Sequence, residues 1–284
     1  MGGNAGGGGT WGSIAAIFAM VAQWPNVFTI VLAIMLLGGR QLGIAVIMHD
    51  AGHSSLFRSW KLDRFAAQWL GVAFIFNDAK AYRIRHARHH RLGGSEEDPD
   101  LYKFVNYAMA RKDFLRKLRR DITGVTAYRT IKANFKLLGW RGVRTWTIAH
   151  TILFGVLLAV GHPWLYLLWI VAYATTNQVI LRIRNAAEHG AVEDLLDSDP
   201  RKHPRTTLPR IWERPFFAPN YVNYHLEHHV LASVPCYRLK SFHRLLKEKG
   251  YLDDAEICGS YWEVVKKLVL PPGVEKENII VAMH

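Results

Sequence analysis

The chain has 284 residues, half of them hydrophobic and 21% charged, with a formal net charge of +13 and a pI near 9.8. This composition excludes a disordered, collagen-like or coiled-coil chain, and two cysteines, Cys236 and Cys258, exclude a disulfide scaffold. The basic balance calls for an anionic partner, and without zinc-finger spacing or an aromatic RNA-binding signature a membrane surface fits better than nucleic acid.

Mean hydropathy is only +0.01, because charge-poor segments at 13–37 and 145–181 are averaged with basic ones. Residues 1–10 are glycine-rich and expected to be flexible; they lack the positive n-region of a signal peptide. Ser13–Trp24 is a short apolar run, and Pro25 is expected at the first position of the next helix. From Asn26 an apolar run continues to His49, long enough to cross a bilayer, so about 13–53 reads as a hairpin of two membrane helices. Leu62–Phe76 is apolar over half that length and reads as interfacial or re-entrant. Residues 77–144 hold 17 Lys/Arg against 7 Asp/Glu, the charge bias of a cytosolic segment. Thr145–Val160 and Trp164–Leu181, parted by the Gly161-His162-Pro163 turn, form a second hairpin within about 145–184. From 185 to 284 the chain is polar and basic. There Leu239, Phe242, Leu245 and Leu246 mark one face of an amphipathic helix over 236–250. The expected fold is all-α and membrane-integral, with about four transmembrane helices in two hairpins. Residues 77–144 and 185–284 form a cytosolic helical cap, the whole 1–284 being one domain.

Nine of the 14 histidines sit in or near tight clusters. His49-Asp50-Ala51-Gly52-His53 is HxxxH, while His86-Ala87-Arg88-His89-His90 and His225-Leu226-Glu227-His228-His229 are both HxxHH. Residues three and four apart share a helix face, so each box turns its imidazoles one way. Eight such nitrogens exceed what one tetrahedral ion takes and suit two metals of higher coordination; imidazole alone does not choose between iron, zinc, copper and nickel. Asp50 and Glu227 are expected to orient imidazoles, and Asp98-Pro99-Asp100 to form a turn and helix cap, with contact to a metal-binding side chain or the substrate as the alternative. His150, His162, His203, His243 and His284 belong to no box and are read as non-ligands. Arg83, Arg85, Arg88 and Arg91 bracket the second box, as a solvated basic face or as a contact for lipid phosphate or an electron donor.

The three boxes, in this order and separated by apolar hairpins, resemble those of the membrane fatty-acid desaturase superfamily, over roughly Gln41 to Leu246. The resemblance implies a cap holding two iron ions that activate O2 as co-substrate and remove hydrogen from an alkyl chain. It implies nine metal ligands: His49, His53, His86, His89, His90, His225, His228, His229, and a ninth, His189, after the last membrane helix. Asn185, four residues earlier, is implied to hold a water on one iron; Glu188 between them has no assigned role. No separate side-chain acid or base is expected. The activity implied is desaturation of an acyl lipid. A hydroxylase or ketolase of a carotenoid, alkane or other lipid on the same scaffold is the alternative, and a histidine-rich metal transporter the alternative from another class. A membrane protease is disfavoured, as no HExxH occurs. No haem-binding HPGG follows His162-Pro163 or His203-Pro204, so electrons are expected from a separate ferredoxin or cytochrome b5 docking on the basic side. The boxes are expected on the cytoplasmic side of a multi-pass protein, in a bacterial inner membrane, since the VAMH terminus is not an ER-retention signal.

Overall fold

Asn26 caps the longest apolar helix of the chain's first half. Its side chain accepts from the N–H groups of Phe28 and Thr29, and the Thr29 hydroxyl accepts from the N–H of Asn26. Pro25 therefore stands one place outside the helix, not at its first position, because the asparagine takes the capping role. The computed structural model describes residues 6–271 and 274 and is mostly helical. Helix α1 (Gly6–Gln23) starts inside the glycine-rich segment expected to be flexible, where Thr10 is buried and its hydroxyl accepts from Asn220 Nδ2. Helix α2 (Val27–Gly52) follows, then α3 (Trp60–Phe65), a π-helical turn over 66–71 and a 3-10 turn over 72–75. The apolar segment before Asn77 is thus a broken helix rather than a continuous one.

Helix α4 (Ala79–Leu92) is capped by Asp78, and α5 (Arg111–Ile122) leads to α6 (Val125–Ala159). Gly139 interrupts α6 with φ 56°, a conformation that favours glycine; before it lies a polar stretch, after it an apolar one. Helices α7 (Leu165–Ala174) and α8 (Thr176–His189) are parted at Thr175. The remainder holds α9 (Arg214–Phe217), α10 (His225–Val230), α11 (Cys236–Glu248) and α12 (Tyr261–Leu268). Strands β1 (Thr206–Thr207) and β2 (Ile257–Cys258) pair in parallel. On α11, Leu239 and Leu246 are buried but Leu245 is 46% exposed, so its apolar face is narrower than its sequence spacing suggests.

Among the described residues two helices, α2 and α6, are long and apolar enough to cross a membrane. With α1 and α7 they build one core, in which Leu37, Ala149, Leu165 and Trp169 are buried. The Trp169 indole donates to the Phe74 carbonyl, and Gln41 Nε2 donates to the Trp169 carbonyl. The outer faces stay apolar and open: Phe28, Val31, Ile152, Val156 and Leu167 are all exposed, as a surface against lipid would be. Gly38 and Gly39 mark the level where this core gives way to polar packing. A Cβ on Gly38 would overlap the Thr176 hydroxyl, and one on Gly39 the Pro215 carbonyl oxygen. Across this gap Asn177 Nδ2 donates to the Gly38 carbonyl, and Arg40 to the Pro215 carbonyl. Beyond it, the second half of α2 runs beside α8 and the cap.

Candidate metal centre

Four elements deliver the clustered histidines. His49 lies in the last turn of α2 and His53 caps that helix. The inner face of α4 carries His86, His89 and His90, α8 ends on His189, and α10 carries His225, His228 and His229. The Gly93-Gly94 turn after α4 lets the 197–203 loop close in: a Cβ on Gly94, at φ +77°, would overlap the Asp197 carbonyl oxygen.

All nine histidines of the sequence analysis come together, in two groups. His49, His53, His86, His90 and His228 form one; His89, His189, His225 and His229 form the other. Within each group the potential ligand atoms lie within 4.8 Å of one another. The groups adjoin, for His90 of the first stacks on His229 of the second with ring centroids 4.4 Å apart. His150, His162, His203 and His243 stand outside both groups, and His284 lies outside the described residues. Asn185 is half-buried on α8, four residues before His189, its Oδ1 3.2 Å from an Arg184 nitrogen.

The outer partners fix which nitrogen of each ring faces inward. His49 Nδ1 lies 2.9 Å from Asp50, His89 Nδ1 lies 2.9 Å from both oxygens of Asp98, and His189 Nδ1 donates to the His203 carbonyl at 3.0 Å. A ring that donates from Nδ1 keeps a lone pair on Nε2. Several of these Nε2 atoms meet head-on: His189 and His225 are 2.9 Å apart, His90 and His228 2.9 Å, and His86 and His90 3.1 Å. His49 Nε2 and His53 Nε2 are buried with no hydrogen-bond partner at all. Lone pairs converging in a buried space repel one another unless a cation lies between them. The donor set therefore fits two metal ions that accept imidazole nitrogen.

The electrostatics agree. Burial, reinforced by the neighbouring imidazoles, holds His86, His189, His225, His228 and His229 well below the usual imidazole range. Burial likewise lowers His53 to about 3 and His90 to about 2. Neutral imidazole is the form a metal binds.

Outer residues depart from the sequence expectation or add to it. Glu227, inside the third box, turns away from it: its carboxylate takes His243 Nδ1 at 2.5 Å and the Thr206 hydroxyl. Asp98 is more than a turn residue, since it grips His89 while also accepting from the Asp100 N–H. Glu188 is buried, pairs with Arg184, and sets Oε1 3.2 Å from His225 Nδ1; burial pushes its carboxyl up to about 8, against the pull of Arg184. Tyr82, stacked on His86 at 5.0 Å, was not singled out by sequence reasoning. Asp50 does hold an imidazole, and its other oxygen accepts from the Cys236 N–H, tying α2 to α11. Both cysteines are free and buried.

Comparison with known proteins places this arrangement. A family model described as fatty acid desaturase matches residues 22–260. Dihydrorhizobitoxine desaturase of Bradyrhizobium elkanii is 28% identical over 268 residues, which cover 81% of this chain and 70% of that protein. Alkane 1-monooxygenase 2 of Pseudomonas aeruginosa is 23% identical over 201 residues, covering 66% of this chain and 50% of that one.

Proposed function

Because this chain belongs to the fatty acid desaturase family, we propose that it is an O2-dependent di-iron lipid desaturase that places a double bond in an alkyl chain. The observation that carries the reading is the gathering of nine buried or half-buried histidines into adjoining groups of five and four. In this reading His49, His53, His86, His90 and His228 hold one iron, and His89, His189, His225 and His229 the other. A water kept by Asn185 completes the smaller set. When bound, the pair of irons supplies O2 activation and the removal of hydrogen from an unactivated carbon.

The chain's own residues do the positioning. Asp50, Asp98 and the His203 carbonyl hold three imidazoles in orientation, which keeps each Nε2 directed inward. The buried surroundings exclude bulk water from the groups. Two apolar hairpins, α1 with α2 and the second half of α6 with α7 and the start of α8, would seat the chain in the membrane and set the boxes on the cytoplasmic face. The outer face of α4 exposes Arg83, Arg88 and Arg91 on the same helix whose inner face carries three histidines. An acidic ferredoxin or cytochrome b5 docked there brings electrons to the site by the shortest route.

Hydroxylation on the same scaffold is the second reading, favoured by the similarity to an alkane monooxygenase. Expression of the chain in a desaturase-deficient host, followed by mass spectrometry of total lipids, separates the two. Desaturation removes two hydrogens from the lipid; hydroxylation adds one oxygen. An unchanged lipid profile, with iron loaded and a donor present, would overturn both.

A further inference from the structure

Gly139 divides α6 into unlike halves. Arg129, Lys132 and Lys136 lie before the break and Arg141 and Arg144 just beyond it, all five exposed, on a helix without an Asp or Glu. The acidic residues of the preceding α5 do not neutralise them: Asp113 pairs with Arg116, and Asp121 with Arg182. The same stretch exposes Tyr128, Phe135 and Trp140. Aromatic rings interleaved with lysine and arginine at the foot of an apolar span are the composition of a membrane–water interface. A cavity of about 630 Å3 fills the angle at the break, a size within the roughly 300–1,000 Å3 of ligand sites. Tyr128, Lys132 and Phe135 line it from the first half of α6, and Thr147, Thr151 and Phe154 from the second. Each set is spaced i, i+4 and i+7, so one face of each half borders the cavity. Phe135, Thr151 and Phe154 are exposed and Trp146 is buried, so the cavity opens outward between the halves and closes on the tryptophan.

Among the described residues Lys132 is the one Lys, Arg, Asp or Glu in that lining. It is exposed, and its Nζ lies 5.9 Å from the centre of the Tyr128 ring, a cation–π contact that keeps the charge over the cavity wall. An apolar hollow at this level takes hydrocarbon, and a cation at its rim selects the group to which the hydrocarbon is attached. A zwitterionic headgroup brings its own ammonium into the field of Arg129 and Lys136, one helical turn to either side of Lys132. A phosphate diester with no cation of its own is attracted by all three. We propose that the elbow of α6 binds one anionic phospholipid, its phosphate against Lys132 and an acyl chain in the cavity. None of the nine clustered histidines lines this cavity, and the site stands whether the metal centre desaturates or hydroxylates.

The test is native mass spectrometry of the purified full chain in detergent, titrated with dioleoyl phosphatidylglycerol or dioleoyl phosphatidylcholine. The wild type should retain its first phosphatidylglycerol about fivefold more tightly than its first phosphatidylcholine, the gain expected from one lysine beside an anionic headgroup. Lys132→Gln should bind both lipids alike, at the phosphatidylcholine affinity, and Lys132→Arg should restore the preference. Lys240→Gln, which removes the same charge from an exposed position on α11, should bind as the wild type does. Thr147→Trp, which fills the cavity from an exposed part of its wall, should weaken both lipids. Glycerol 3-phosphate, a phosphate without chains, should not displace the bound lipid. Equal retention of both lipids by the wild type would overturn the proposal, as would a preference that survives in Lys132→Gln or is lost equally in Lys240→Gln. Binding untouched by Thr147→Trp would remove the cavity from the site, and displacement by glycerol 3-phosphate would make it a site for free phosphate; either result also overturns it.

Discussion

His189 is the residue on which the count of ligands turns, because it lies outside the three boxes. It enters the four-member group at the end of α8, with its Nε2 2.9 Å from that of His225. His189→Ala should lower iron toward one per chain and abolish lipid conversion while the protein still inserts, as read by metal analysis and membrane fractionation. Two irons retained with normal conversion would falsify its assignment. Asn185→Ala, by contrast, should keep both irons and slow turnover, since it offers no ligand atom to either group. Asp98→Ala removes the carboxylate that partners His89 Nδ1. Loss of such an orienting carboxylate costs about 10–100-fold in metal affinity, which competition with a chelator will measure. The boxes themselves were legible in the sequence, because helical spacing alone makes their imidazoles neighbours. Asp98 and Glu188 were less so. Asp98 reaches His89 only because the chain reverses at Gly93-Gly94, and Glu188 meets His225 across 37 residues of chain that no local pattern connects.

At the scale of elements, the two glycines in the middle of α2 fix how the apolar core joins the cap. The Pro215 carbonyl stands where a side chain on Gly39 would begin, and backbone atoms cannot rotate away as a side chain can. Gly39→Ala should therefore destabilise the fold by about 2–3 kcal/mol through overpacking, seen as a lower thermal midpoint of the purified protein in detergent. A midpoint equal to wild type would show that α9 yields easily. Hydropathy found α2 well because its apolar run is continuous. It gave no sign that the helix bearing the later apolar segment, α6, begins at Val125 and bends at Gly139. Periodicity reports whether a helix forms and says little about a single residue that redirects it. The breaks in the segment before Asn77 leave no trace in hydropathy for the same reason: a π turn and a 3-10 turn share the composition of the helix they interrupt.

For the molecule as a whole, a net charge of +13 is concentrated outside the apolar core, and part of it stands on the back of α4. Electrostatic docking of a donor to that face should be sensitive to salt, because exposed charges are screened over a Debye length of about 8 Å at physiological ionic strength. Donor-dependent turnover should fall as ionic strength rises. Arg88→Glu combined with Arg91→Glu should raise the KM for the donor and leave iron content unchanged. A KM indifferent to both salt and charge reversal would move the docking face elsewhere. The overall charge and its separation from the apolar runs were readable at once from composition. That the basic face and the histidine face are two sides of one helix required the packing of α4 against α2.

The order in which the histidines occur along the chain has a consequence for biogenesis. The five-member group draws on α2, α4 and α10, and the four-member group on α4, α8 and α10. Both therefore wait for α10, whose histidines leave the ribosome long after the apolar helices have emerged. A nascent chain ending before His225 holds only His89 and His189 of the smaller group. Domains and segments form as they are synthesised, so the membrane-seated core can settle first while the cofactor pocket stays unfinished. In the di-iron reading the larger group has four of its five histidines before α10 is made and the smaller only two of four, so the smaller group is the later one to be completed.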